Sequence, residues 1–342
     1  MDFYEKEPVS LYLNDLVLLE EITTKQQHII IYKHPFLGIV LVINGEIQHI
    51  EKYQCPYHEL LVHLPASFIK TPKEALILGG GSLFAAYEVL KYPSIERVTL
   101  CDHDAHVLEL MDKYYVHART VRKDSRFHFI ESDGIEFINQ CYHKYDLIIN
   151  DCFNLLKISM HNRFPIYYKL KQLLTPSGLC SDIIYRHIFD GDITSASIKE
   201  IKKYSNVALS LVTVPEYPGI LHIETIWGNN PNLSQTRHKV INEYQKIIIK
   251  GEKNPFKFFT PANLPFYMYI PPYIKNKIIL VLNKRDILPK SIKEEKLVEY
   301  FKENDTFFEE VIVVSVEKNF NIDYLLKRIK SLQTSKNVYV VG

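Results

Sequence analysis

The chain is poor in cysteine, and what it has is badly placed for pairing. Its 342 residues carry five, at positions 55, 101, 141, 152 and 180, with no CxxC among them. Neither a disulfide framework nor a zinc site is indicated, so no metal is expected and a reducing cytoplasm is the expected compartment. An excess of charge of one sign is missing too. Forty-one Lys and Arg face 40 Asp and Glu, for a net charge of +1, which argues against a general nucleic-acid or membrane-surface binder. No uninterrupted apolar run is long enough to span a bilayer. The opening MDFYEKEPVS has no apolar h-region and does not read as a signal peptide. Internal repeats and low-complexity tracts are absent. The apolar fraction is that of an ordinary globular protein, and the length allows two domains or three small ones.

What is present is a change of rhythm. Residues 11–62 read as β: the runs 28–33 (HIIIYK) and 38–43 (GIVLVI) are strand-like, and Asn44-Gly45 is a hairpin signal. Helical spacing follows over 57–70. From 74 onward strands and helices alternate. The strands are Ala75–Leu78, Arg97–Cys101, 127–131, 145–150 and one from 179; the helices are 83–91, 104–115, 134–141 and 166–174. This order predicts a parallel sheet with crossover helices, closed by an antiparallel hairpin over 207–228. A second strand–helix series begins at 278, with strands IILVLN, VIVVS and NVYVVG and helices over 292–303 and 323–331. The expected fold is α/β. A small N-terminal antiparallel β-domain (1–56) leads into a Rossmann-like, methyltransferase-like doubly wound sheet (57–275), followed by a partial α/β segment (276–342).

In a doubly wound sheet, ligands bind at the carboxyl ends of the strands, and candidate residues collect there. Gly79, Gly80 and Gly81 follow the first strand, where glycine allows close backbone approach and positive φ. Asp102 ends the second strand, about 20 residues on, where a carboxylate accepts from ribose hydroxyls. Asp133 ends the third, within reach of an adenine amino group. The GGGS spacing is not GxGxxG, which favours a nucleoside without phosphates. Taken singly, the glycines could form only a tight turn, and Asp102 could merely cap the helix over 104–115.

The ordered set NGEIQHIEKYQCPYHELLVHLP (44–65), LILGGG (76–81), VTLCDHD (98–104), SDG (132–134), YDLIINDC (145–152), YYKLKQLLTPSG (167–178), VPEYPG (214–219) and FFTPANLPFYMYIPPYI (258–274) resembles the spermidine synthase family over about residues 10–275. The resemblance implies transfer of the aminopropyl group of decarboxylated S-adenosylmethionine to putrescine, giving spermidine and methylthioadenosine. The sulfonium is already activated, so no cofactor is needed. The amine has a pKa of about 10.4 and must be held neutral and aligned. By resemblance, Gln48 and Asp102 contact the nucleoside, Asp133 the adenine, and Asp151 orients or deprotonates the amine, while Tyr57 and Tyr217 line its channel. The resemblance also implies a homodimer. For Tyr57 and Tyr217 simple core packing is the competing reading. His58 and His63 read as core or surface histidines.

Two positions depart from the family. GGGDGG reads GGGSLF, so Ser82 replaces an Asp that binds the aminopropyl ammonium. The family's DSSD reads DCFN, so Asn154 replaces the second Asp, which holds the acceptor amine. Each lost charge-assisted hydrogen bond is worth roughly 1.5–3 kcal/mol; Glu59, Glu88 or Asp182 are candidates to compensate. The alternatives are a transferase using S-adenosylmethionine itself, whose extra carboxylate Ser82 would not repel, and a non-catalytic relative. In the tail, Asn283, Lys284 and Asp286 form an NKxD guanine-reading motif, with Ser315 in a second guanine loop. This order resembles circularly permuted ribosome-assembly GTPases of the YqeH type. The GxxxxGK[ST] loop is not in the sequence, so no GTP hydrolysis is expected.

Overall fold

The computed structural model describes residues 3–4, 11–151, 160–187, 192–212, 214–218, 220–234, 256–260, 263–268, 278–282, 308–313 and 322–324. The chain forms two compact units, residues 1–185 with 198–269, and 186–197 with 270–342. Asn154, Asn283, Lys284, Asp286 and Ser315, the helix expected over 292–303 and the strand NVYVVG lie outside the described residues.

The first unit opens with a short antiparallel pair, β1 (Phe3–Tyr4) and β2 (Tyr12–Leu13). Next comes a four-stranded antiparallel sheet in chain order, β3 (Val17–Thr23), β4 (His28–His34), β5 (Gly38–Ile43) and β6 (Glu46–Ile50). Asn44 and Gly45 turn between β5 and β6 with φ of 53° and 83°, the double positive φ of a type I′ hairpin. Strand alternation gives this sheet two apolar faces. Ile29, Ile31 and Leu41 join the main core; Val40, Val42, Ile47 and Ile50 form a small core with Leu13, Leu16 and Leu37.

The central sheet has seven strands. They are β7 (Glu74–Gly79), β8 (Arg97–Asp102), β9 (Phe127–Glu131), β10 (Tyr145–Asp151), β11 (Leu174–His187), β12 (Asn206–Val212) and β13 (Ile220–Gly228), in the order β12-β13-β11-β10-β7-β8-β9. Strands β11, β10, β7, β8 and β9 run parallel, and β12–β13 is the expected antiparallel hairpin. The chain starts at β7, walks to β9, and returns to the other side at β10. The topological switch therefore lies between β7 and β10, where such sheets form a crevice.

Helices α1 (Gln54–Ala66), α2 (Phe84–Leu90), α3 (Ala105–Tyr114) and α4 (Val116–Lys123) pack apolar residues into the core that holds Ile77, Ile149, Leu179 and Ile226. Residues of α5 (Gly134–Gln140) and α6 (Met160–Leu173) join Leu76, Leu78, Ile148, Cys180 and Trp227 in a second core. A further helix, α7 (Asp192–Ile201), precedes β12.

Several boundaries differ from the sequence reading. Helix α1 starts at Gln54 rather than 57, because Pro56 sits in its first turn, where a missing N–H is harmless. Helix α6 starts at Met160, six residues early, and carries Pro165 within it. The segment after 115 contains an unforeseen helix, α4; its polar sequence VHARTVRK buries only Ala118 and Val121, too few to announce a period. The Pro-Ser-Gly turn is an irregularity inside β11: Tyr145 pairs with Leu174 but Leu147 with Leu179. Among the described residues no helix is long and apolar enough to cross a membrane. In the second unit, β14 (Ile278–Leu282) and β15 (Phe308–Val313) pair in parallel.

Candidate active site

The glycine turn at the end of β7 is shaped by its neighbours. Gly79 and Gly80 have φ of 74° and 71°, where a Cβ is strained. A Cβ on Gly80 would stand 2.9 Å from Asp151 Oδ2, and one on Gly81 3.0 Å from Asp102 Oδ2. A side chain at Gly80 or Gly81 would crowd the carboxylate at a neighbouring strand end and push it aside. The turn closes through the Leu83 N–H, which donates to the Gly80 carbonyl at 2.8 Å. Leu83, fully buried, keeps φ at 65°, a left-handed conformation unusual for a branched residue.

Asp102 ends β8 and is held from two sides. Its Oδ2 accepts from the Gly81 N–H at 3.1 Å and its Oδ1 from the Asp104 N–H at 3.1 Å. The exposed His103 ring stands 3.5 Å from Oδ1. Burial raises its pKa above the usual carboxylate range, opposed by these donors. Asp102 is not the cap of the following helix. Asp104 is, accepting from the His106 N–H.

Asp151 ends β10, paired in register with Gly79 of β7. Its Oδ1 accepts from the Tyr57 hydroxyl at 2.6 Å, a contact between residues 94 apart in sequence. Burial raises its pKa to about 7, the Tyr57 bond pulls it down, and the charge of Asp102 pushes it up. A carboxylate that changes charge near neutrality is suited to proton transfer. Tyr57, Asp151, Asp102 and the three glycines thus converge on the switch point.

The other predicted residues stand elsewhere or are otherwise engaged. Asp133 caps α5, its Oδ1 accepting from the N–H groups of Ile135 and Glu136 at 2.9 Å. Gln48 is exposed on β6 where the register against β5 shifts. The Tyr217 hydroxyl donates to the Ile47 carbonyl at 2.8 Å, and the neighbouring Glu216 accepts from the Ile50 N–H at 3.2 Å. Residues 216–217 therefore clasp the stretch of β6 that carries Gln48. Ser82 is half-buried, and its carbonyl accepts from His117 Nε2 at 3.1 Å. The His117 ring stacks on Phe84 with centroids 3.6 Å apart, and Phe84 leans on His49 at 4.3 Å. Burial depresses the pKa of His117 and of His58 to about 4, and that of His49 well below its usual value. This neutral aromatic wall behind Ser82 was invisible in sequence, because its members lie on β6, α1, α2 and α4.

The acidic residues considered as replacements for the lost charges are committed to other partners. Glu59 accepts from the backbone N–H groups of Lys257, Phe258 and Phe259 at 2.8, 2.8 and 2.6 Å. Glu88 is bound by His63 at 2.8 Å and Lys91 at 2.6 Å. Asp182 accepts from Asn150 at 2.9 Å. Among the described residues no group of three His, Cys, Asp or Glu is arranged to hold a metal ion.

Comparison with known proteins bears on the same elements. The model of the spermine/spermidine synthase domain matches residues 54–237. A polyamine aminopropyltransferase of Buchnera aphidicola (subsp. Acyrthosiphon pisum) is 28% identical over 279 residues, covering 80% of this chain and 96% of its own. Putrescine N-methyltransferase 1 of Nicotiana tabacum is 27% identical over 259 residues, covering 74% of this chain and 68% of its own. A spermidine synthase crystallised with the transition-state analogue AdoDATO superposes with a TM-score of 0.68 at 23% identity, covering 80% of this chain and 92% of that one.

Proposed function

Because the chain belongs to the spermine/spermidine synthase family, we propose that it is a polyamine aminopropyltransferase, moving an aminopropyl group from decarboxylated S-adenosylmethionine to putrescine. The observation that carries the reading is the Tyr57–Asp151 pair at 2.6 Å, beside a glycine turn against which the carboxylates of Asp151 and Asp102 stand. In the reaction the amine lone pair attacks the carbon attached to the sulfonium. The carbon–sulfur bond breaks with its electrons passing to sulfur, which leaves as the neutral thioether of methylthioadenosine. The lone pair is available because the Asp151 carboxylate first takes a proton from the bound ammonium, and the product leaves as the secondary ammonium. Tyr57 orients that carboxylate. Asp102, already fixed by two backbone N–H groups, accepts from the ribose hydroxyls, with Gln48 and Asp133 as further nucleoside contacts. Tyr217, Ser82 and Asn154 are assigned to the amine side.

A second reading has its own support. The neutral Ser82 does not repel a donor carboxylate, and one relative is named a putrescine N-methyltransferase. That reading is a transferase using intact S-adenosylmethionine. One assay separates the two: the purified chain is incubated with each sulfonium donor and a panel of diamines, and the nucleoside product is identified. Methylthioadenosine from the decarboxylated donor is the expected result. S-adenosylhomocysteine from the intact donor would replace the first reading by the second, and methylthioadenosine binding without turnover of either donor would defeat both.

For residues 276–342, the parallel β14–β15 pair supports an α/β crossover. The guanine-contact residues suggested by sequence lie outside the described residues, and no guanine-nucleotide activity is proposed.

A further inference from the structure

Helix α3 follows closely on Asp102, the last residue of β8, and is gripped at its start by the β3–β4 turn and at its end by β3 of the N-terminal sheet. At its start, Asp104 is almost fully buried, 1% exposed. Its Oδ1 accepts from the His106 N–H at 3.1 Å and from His106 Nδ1 at 2.9 Å. Its Oδ2 accepts from the Thr24 hydroxyl at 2.7 Å, across 80 residues of sequence. Thr24 is itself fixed, because its oxygen accepts from the N–H groups of Gln26 and Gln27 at 3.0 Å each, and its own N–H donates to the Gln27 carbonyl at 2.9 Å. At the other end of α3, Glu20 of β3 accepts from Lys113 Nζ and from the Tyr114 hydroxyl, both at 2.6 Å.

This chain of contacts ends on the site. The Asp104 N–H donates to Asp102 Oδ1, so the residue that Thr24 holds is one of the backbone donors that aim Asp102, beside those of Gly81 and His103. Although burial pushes the Asp104 carboxyl up, bonds from Thr24, His106 and the Gln27 side chain bring it below the usual range, and it therefore accepts these bonds as a charged group. Charge-assisted bonds of this kind are about twice as strong as neutral ones.

We infer that Thr24, in the β3–β4 turn, is a positioning residue for the nucleoside donor: through Asp104 it sets the Asp102 loop, so that the N-terminal sheet tunes donor affinity in the central sheet. The inference rests on the reading of Asp102 as the ribose acceptor. It predicts a divided kinetic effect. The loop on the donor side loses its alignment, while Tyr57 and Asp151, on α1 and β10, are untouched.

The test measures donor KM, amine KM and kcat for Thr24→Val and Thr24→Ser, and the affinity of methylthioadenosine by calorimetry. Thr24→Val is expected to raise donor KM and weaken methylthioadenosine binding about tenfold, the size of the lost bond to the charged Asp104, with kcat and amine KM unchanged. The two bonds it also loses, from the Gln26 and Gln27 N–H groups, lie within the β3–β4 turn. Thr24→Ser, which keeps the hydroxyl, is expected to restore the wild-type values. Asp104→Asn retains a good N-cap for α3 but loses the charge that strengthens the Thr24 and His106 bonds, and is expected to reproduce the donor effect. Glu20→Gln, whose Lys113 partner is exposed, is expected to change donor affinity less than about twofold. Asp102→Asn serves as the reference. If it weakens methylthioadenosine binding while Thr24→Val does not, the Thr24 proposal is overturned and the Asp102 reading stands. If both bind as the wild type, the Asp102 reading falls and takes the proposal with it.

Discussion

Two carboxylates, Asp102 and Asp151, end strands on either side of β7, yet they are built for different tasks. Asp102 is held by backbone: both oxygens accept main-chain N–H groups, and these donors cannot rotate away. Asp151 is held by a side chain, the Tyr57 phenol, and burial raises its pKa to about 7. Burial raises both carboxylates, but the backbone donors to Asp102 oppose the rise and fix its direction, whereas Asp151, with one movable side-chain donor, is the freer of the two to gain and lose a proton. The difference divides the cleft into a side that binds and a side that reacts. It also explains why the departure at Ser82 does not empty the cleft, since the contacts that fix Asp102 come from other residues.

The sharpest way to break this division is Asp151→Asn. The amide cannot take the proton, and loss of a positioned base typically lowers turnover by about 10²–10⁴-fold. The expected outcome is a fall of that order in kcat, with methylthioadenosine affinity within about twofold of wild type by calorimetry. A large loss of nucleoside affinity would show that Asp151 belongs to the binding side and erase the distinction.

Tyr57→Phe probes the same side more gently. The phenol stabilises the charged form of Asp151, so its removal raises a pKa already at about 7. If the ionised carboxylate is the working form, activity climbs with pH through that value. The variant's ascending limb should then move to higher pH by about one unit, the size of one hydrogen bond to a charged group. At pH 7 this appears as a loss of about fivefold, approaching tenfold at lower pH, that recovers on going alkaline. A limb that stays where it is in the wild type would mean that Asp151 does not govern the profile.

Much of this site was legible because strand ends are legible. Once β7, β8 and β10 were recognised, Gly79–Gly81, Asp102 and Asp151 had to share one sheet edge. The elements missed or misplaced are those whose evidence is not local. Nothing in VHARTVRK announces α4, which is held by burial of two residues. Nothing near Thr24 points to Asp104, and nothing near Glu59 points to the three amides of residues 257–259 that it binds. Family resemblance gave Tyr57 as a channel residue and Asp151 as the amine's partner, but their hydrogen bond was not foreseen, since 94 residues separate them. In each case the decisive contact joins segments whose order in the chain carries no period, and side chains alone determine whether they meet.

A third carboxylate tests whether a perturbed pKa by itself marks function. Glu224 of β13 is fully buried, accepts from the Ser181 hydroxyl at 2.9 Å, and has a pKa raised by burial to about 8, higher than that of Asp151. It lies within β13, not at the β7–β10 crevice, and its Oε2 has no partner among the described residues. The folded chain therefore keeps Glu224 protonated up to about pH 8, whereas the unfolded chain releases that proton from about pH 4.5. Its contribution to stability is lost as pH rises through that window, by about 1.4 kcal/mol per pH unit at most. Glu224→Gln removes the titration but keeps the shape and an acceptor for Ser181. Relative to the wild type it should gain stability progressively between pH 5 and pH 8 in urea unfolding, with kcat and both KM values unchanged. A stability difference that is the same at pH 5 and pH 8 would refute the assigned protonation state. A drop in kcat would carry Glu224 into the reacting side and show that distance from the strand ends does not separate structural acids from working ones in this fold.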